Sequence, residues 1–91
     1  MDRIGNIIEE FIRVTGIEKP IKRYRALQIW PKVVGKKIAR MTDPVRIEQS
    51  RIFVRVKNDA WRHELIYHKP EIIRKLNIEL GSDTIDDIIL L

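Results

Sequence analysis

The residues best suited to chemistry in this chain are cations. Lys22, Arg23, Arg25, Lys32, Lys36, Lys37 and Arg40 all fall within one stretch, Ile21–Met41. From Glu18 to Met41 eight Lys or Arg stand against one acid, a local charge of +7, while the rest of the chain sums to −2. Such a cluster suits phosphates, because cationic side chains displace the counterions condensed on nucleic acid and give affinity without sequence choice. A merely solvated helix face is the alternative, but this charge density exceeds what solubility requires. Residues on a helix step round its axis by about 100°, so the seven cannot all touch one strand.

A second candidate is the row Arg51, Phe53, Arg55 and Lys57, which sets one aromatic among basic neighbours. It can stack a base while the cations hold a backbone; alternatively the first helix covers Phe53 and the cations only rim it. Trp30 and Trp61 both sit on apolar stripes and read as core. His63 and His68 diverge by about 140° on a helix and form no i, i+4 metal pair. With no cysteine in the chain and no carboxylate cluster beside them, no metal site is expected. The adjacent carboxylates Glu9-Glu10 and Asp86-Asp87 point apart. Ser50 and Ser82 fall in turns without a partnered base. The four glycines, at 5, 16, 35 and 81, build neither a dinucleotide fingerprint nor a phosphate loop. No catalytic constellation and no cofactor are expected.

The elements that must position these residues follow from composition and periodicity. Ninety-one residues at 44% hydrophobic content make one folded domain, 1–91, with residues 1–19 an N-terminal helix and connection and 20–91 the core. A chain of this size buries roughly 60–65% of its unfolded surface. Met-Asp-Arg-Ile-Gly-Asn is no secretory leader, and no apolar run approaches the ~20 residues of a membrane helix, so a cytoplasmic location is expected. A net charge of +5 and a pI near 9.8 suit nucleic acid, anionic lipid or an acidic protein patch.

Ile4, Ile7, Ile8, Phe11 and either Val14 or Thr15 mark a first helix over residues 2–15, stopped by Gly16. Glu18-Lys19-Pro20 connects it to a second, opened by Pro20 or Ile21, whose apolar face is Leu27, Trp30, Val34, Ile38 and Met41. Pro31 implies either a kink at Trp30 or a short turn at 21–29 before a helix starting near Pro31. Thr42-Asp43-Pro44 ends this element. Residues 45–49 and 52–57 alternate as a hairpin, with Val45 and Ile47 on one face and Ile52, Val54 and Val56 on another. Asp59 caps the next helix, with Trp61, Leu65 and Ile66 inward. His68-Lys69-Pro70 interrupts it, and a new helix carries Ile72, Ile73, Leu76 and Leu80 to a stop at Gly81. Residues 84–91 form a third strand. The expected order is helix, helix, strand, strand, helix, helix, strand, an α/β (α+β) chain.

Several residues together resemble the DciA-like family, bacterial proteins long catalogued as a domain of unknown function. They are Trp30-x-x-Val33-Val34-Gly35, Ile38-Ala39, Pro44, Ile52-x-Val54-x-Val56 with Trp61 and Glu64-Leu65, Pro70-x-Ile72-x-x-x-Leu76-Asn77, Leu80-Gly81 and Ile85-x-x-Ile88. The resemblance covers roughly residues 20–90. It implies a fold similar to the type II K-homology domain, helix–strand–strand–helix–helix–strand, around a three-stranded sheet. It also implies a role in recruiting or loading the bacterial replicative helicase, a DnaB-type hexamer, with some affinity for DNA. Two departures stand out. K-homology domains grip a nucleic-acid backbone with a Gly-x-x-Gly loop between paired helices, and His68-Lys69-Pro70 stands there instead. Some longer relatives carry a flexible tail, whereas this chain stops at Leu91.

The expectation is therefore a non-catalytic adaptor that meets the replicative helicase and single- or double-stranded DNA, with no membrane and no small-molecule substrate. A protein-only interaction module and a K-homology-like RNA-binding protein are the alternatives.

Overall fold

A computed structural model describes Gly16 and residues 18–91. The helix expected over residues 2–15 lies outside the described residues. Three helices and a three-stranded sheet follow, an α+β arrangement: α1 (Glu18–Val34), α2 (Lys36–Met41), β1 (Thr42–Glu48), β2 (Arg51–Val56), α3 (Asp59–Leu80) and β3 (Asp87–Leu90). The strands lie in the order β1-β2-β3, with β1 antiparallel and β3 parallel to the central β2.

Neither the turn at 21–29 nor the interruption at Pro70 is present. α1 opens at Glu18 and runs through Pro31 to Val34, and α3 runs unbroken through Pro70. Each proline forfeits one helical hydrogen bond, but both are exposed, so water can serve the carbonyls left over. Pro20 sits in the first turn of α1, where N–H groups have no helical partner. The break falls instead at Gly35, whose φ of 88° and ψ of 165° suit glycine almost alone. Its N–H still closes on Pro31 O at 3.1 Å, and its carbonyl accepts the first bond of α2 from Ala39 at 2.9 Å. The continuous α3 replaces the expected pair of helices, so no junction exists there for a Gly-x-x-Gly loop.

The hairpin differs from its alternation in one place. β1 begins at Thr42 and includes Pro44, which an edge strand tolerates. A register shift between Pro44 and Arg46 bulges Val45 out to solvent, so Pro44, not Val45, shares the inner face with Ile47. Ile52, Val54 and Val56 of β2 meet Ala26 and Trp30 of α1 and Leu65, Ile72, Leu76 and Leu80 of α3, with Ile85 and Ile88 closing the core. Ile66, expected inward, is 51% exposed. Asn58, not Asp59, caps α3 by accepting from Trp61 N–H at 2.8 Å.

Two side chains fix the chain ends of these elements. The buried Trp30 donates from Nε1 to Thr42 Oγ1 at 2.9 Å, and Thr42 donates on to Ile38 O at 2.8 Å. Asn77 accepts from the N–H groups of Thr84 and Ile85 at 3.0 and 2.9 Å and donates to Ile85 O at 2.8 Å. This clasp takes up the backbone of residues 84 and 85; Asp86 N–H then bonds Ser50 O at 2.8 Å, and β3 starts at Asp87. Gly81, left-handed at φ 75°, closes α3 in a Schellman turn, with Ser82 N–H on Asn77 O and Gly81 N–H on Ile78 O, both 3.2 Å.

Thr42→Val keeps the volume but strands the Trp30 indole N–H, so urea denaturation should show a loss of about 1–3 kcal/mol; Thr42→Ser, which keeps the hydroxyl, should lose distinctly less. Gly35→Ala meets no atom within 4 Å at its new Cβ. Its cost is backbone strain alone, about 1–3 kcal/mol, and a neutral result in the same assay would contradict the assigned conformation.

Candidate nucleic-acid interface

The break at Gly35 gives α2 its charge geometry. On a helix Lys36, Arg40 and Lys37 fall within an arc of about 100°, and Ile38 lies on the opposite side. Ile38 duly packs against the core, while the three cations are exposed. Among the described residues none of the three makes an ion pair. Lys57 joins this end of the molecule, because its N–H bonds Met41 O at 3.0 Å. It lies just past β2, not within it.

The α1 cations do not extend this group into one stripe. Lys22 donates to Ser82 Oγ at 3.0 Å, and with Arg23 it lines a hollow of about 500 Å³ shared with Gln49, Ser50, Asp83 and Thr84. Arg25 is exposed, and Lys32 pairs with Glu79 of α3 at 3.3 Å. Thirteen residues of helix, roughly 20 Å at 1.5 Å each, separate Lys22 from Gly35. The basic segment therefore splits between two ends of α1.

The sheet row is also reorganised by its neighbours. Register sets Arg51 beside Glu48 and Asp87, Phe53 beside Arg46 and Ile89, and Arg55 beside Asp43. Carboxylates thus interleave with the cations of this face. Phe53 is only 9% exposed, with the Arg46 guanidinium 4.2 Å and that of Arg51 5.7 Å from its ring centroid. The ring serves cation–π contacts within the protein.

Trp30 is core, at 1% exposure, but Trp61 is only partly buried. Trp61 lines a surface cleft of about 530 Å³ with Val34, Gly35, Lys36, Lys37 and Glu64, and Lys37 Nζ stands 5.9 Å from its ring centroid. Sequence reasoning passed over this cleft. The available signal was position: three residues after the Asn58 cap, Trp61 stands in the first turn, where fewer neighbours cover a side chain.

The remaining candidates are tied up locally. His68 Nε2 lies 3.3 Å from Glu64 Oε1, and His63 packs edge-on to Tyr67 with centroids 5.7 Å apart. Ser82 Oγ is 2.9 Å from Thr84 Oγ1, and Lys69 stands 3.8 Å from Asp87. On the outer face of α3 the Arg74 hydrogen bonds hold the Glu71 carboxyl below its usual range; the pair is solvent-exposed. Among the described residues no three His, Asp or Glu converge to hold a metal ion, and no helix is long and apolar enough to cross a membrane. Glu9 and Glu10 lie outside the described residues.

The family described as "Dna[CI] antecedent, DciA" matches residues 3–90. A UPF0232 protein of Streptomyces avermitilis is 27% identical over 84 residues, covering 90% of this chain and 46% of the relative. A UPF0232 protein of Streptomyces coelicolor is 28% identical over 84 residues, covering 90% of this chain and 44% of the relative. The chain thus spans a little under half the length of these curated relatives. With a match running through all six elements, from α1 to β3, the chain belongs to the DciA family.

Proposed function

We propose that this chain is a non-catalytic adaptor of bacterial DNA replication, working in the cytoplasm, that recruits or loads the DnaB-type replicative helicase. In this reading it holds DNA weakly through its basic segment, as a single domain with residues 20–91 at its core, and needs neither a small-molecule substrate nor a membrane. The family's description as an antecedent of Dna[CI] supports the replication role. The observation that carries DNA binding is α2, where Lys36, Lys37 and Arg40 share an exposed face and make no ion pair among the described residues. A cation paired to a carboxylate must give up that partner to neutralise a phosphate, whereas an unpaired one is free to displace the counterions condensed on DNA. Arg51 and Arg55 are secondary in this reading, since acids share the sheet face, while Lys57 stands at the α2 end and adds to its cations.

A protein-only interaction module is the second reading. It is favoured by the outer face of α3, where Ile66, Tyr67 and Ile78 stand 51%, 72% and 62% exposed. A K-homology mode of RNA binding has less support, because an unbroken α3 leaves no place for the loop that mode uses.

Anisotropy with a labelled single strand, read across a salt series, tests the DNA arm. Affinity should fall steeply with salt, and Lys36→Glu with Lys37→Glu should lower it about tenfold or more at low salt while flattening the log–log slope by about 1.4. Affinity that stays level from low to moderate salt would overturn the electrostatic reading. Co-elution with purified helicase after nuclease treatment, in a protein without DNA affinity, would favour the protein-only module.

A further inference from the structure

We infer that the cleft beside Trp61 receives an unpaired nucleobase, stacked on the indole, so that the chain prefers single-stranded to duplex DNA. This rests on the DNA-binding reading above and adds to it a ligand for a residue outside the basic segment.

Four observations converge on that ligand. The cleft, about 530 Å³, falls within the range of small-ligand pockets. Its lining includes a flat aromatic, Trp61, with Val34, Ile38 and Ala60 as apolar neighbours. Lys36 and Lys37 stand on the same lining, so a base on the indole would leave its phosphates within the field of two cations without carboxylate partners among the described residues. Finally, the Lys37 ammonium lies over the ring, 5.9 Å from its centroid, so a cation already stands on the aromatic face that borders the cleft. On binding, Lys37 turns from the ring to a phosphate.

The chemistry of the lining also weighs against an acidic peptide. An acidic peptide would bring carboxylates toward Glu64, which lines the same cleft and is held by His68 at 3.3 Å. A base offers polar edges instead, and the Glu64 carboxylate can accept from a ring or exocyclic N–H, the N3–H in thymine. In a duplex both faces of every internal base are covered by stacking, so none is available to Trp61. An aromatic step combined with cations is the recurring solution for unpaired strands, because every base has a π face.

The test compares the affinity of the whole chain for oligodeoxythymidine, for an abasic strand of equal phosphate count, and for a duplex of matched length. The base-bearing strand should bind about tenfold more tightly than the abasic one. Trp61→Phe should keep most of that advantage. Trp61→Leu, its fold checked by circular dichroism, should abolish that advantage. Salt-sensitive binding that is equal for the base-bearing and abasic strands would overturn stacking and leave electrostatic DNA binding standing. Absence of binding to either strand would overturn both, and a Trp61→Phe variant with no remaining advantage would overturn stacking even if Trp61→Leu fails to fold.

Discussion

The corner where α1, α2 and β1 meet is held by one hydrogen-bond relay, from the Trp30 indole through the Thr42 hydroxyl to the Ile38 carbonyl. Its energetic weight comes from burial. An indole N–H in a core, left without an acceptor, costs more than an ordinary hydrogen bond contributes. Thr42 satisfies that donor and in the same stroke takes up a carbonyl from the last turn of α2. Three elements therefore share one polar contact inside an apolar cluster. The direction in which β1 leaves α2, and with it the hairpin, follows from that contact.

The same corner sets the charge pattern. Had α1 continued through Gly35, Lys36, Lys37 and Arg40 would have taken their places round the α1 axis, alongside Lys32. The turn at Gly35 gives α2 its own axis, with Ile38 packed against the core and the three cations outside. Elsewhere, among the described residues, Lys32 pairs with Glu79, Arg46 with Glu48, Arg62 with Asp59, Lys69 with Asp87, and Arg74 and Lys75 both with Glu71, while Arg23, Arg25, Arg51, Arg55 and Lys57 make no ion pair. Exposed pairs of this kind contribute little to stability, but they do cancel surface potential. What sets α2 apart is that its three unpaired cations share one face of a six-residue helix that carries no acid.

The apolar periodicities made the elements legible. Leu65, Ile72, Leu76 and Leu80 mark the inner face of α3, and Ile52, Val54 and Val56 that of β2, as their spacing requires. The break expected at Pro70 did not form because the cost of a helical proline depends on whether the freed carbonyl can reach water, and sequence does not say which side of the helix it occupies. The break at Gly35 was hidden for the opposite reason. Glycine is compatible with helix, and only the demand for a positive φ, set by packing on either side, makes it a corner. The Val45 bulge and the Asn77 clasp are likewise products of tertiary contact, as is the shortening of β3. For the candidate site, the cations themselves could be read directly, but not their neighbours. That Arg51 lies beside Glu48 and Asp87 is a fact of register, and register belongs to the assembled sheet.

Trp30 and Trp61 show how one residue type divides its labour by position. Both lie on apolar stripes. Trp30 sits four residues before the end of α1 and twelve before Thr42, so its indole can reach both the core and an acceptor. Trp61 sits where α3 has just begun, capped by Asn58, and the chain before it has turned away. A large flat ring half-covered at a helix start, with unpaired lysines opposite, costs apolar exposure that a leucine there would largely avoid. On the adaptor reading that exposure has a use. Phosphate contacts by α2 grip any backbone equally, whereas a ring that needs an open base separates single strands from duplex, and a protein that delivers a ring-shaped helicase to DNA gains from telling the two apart.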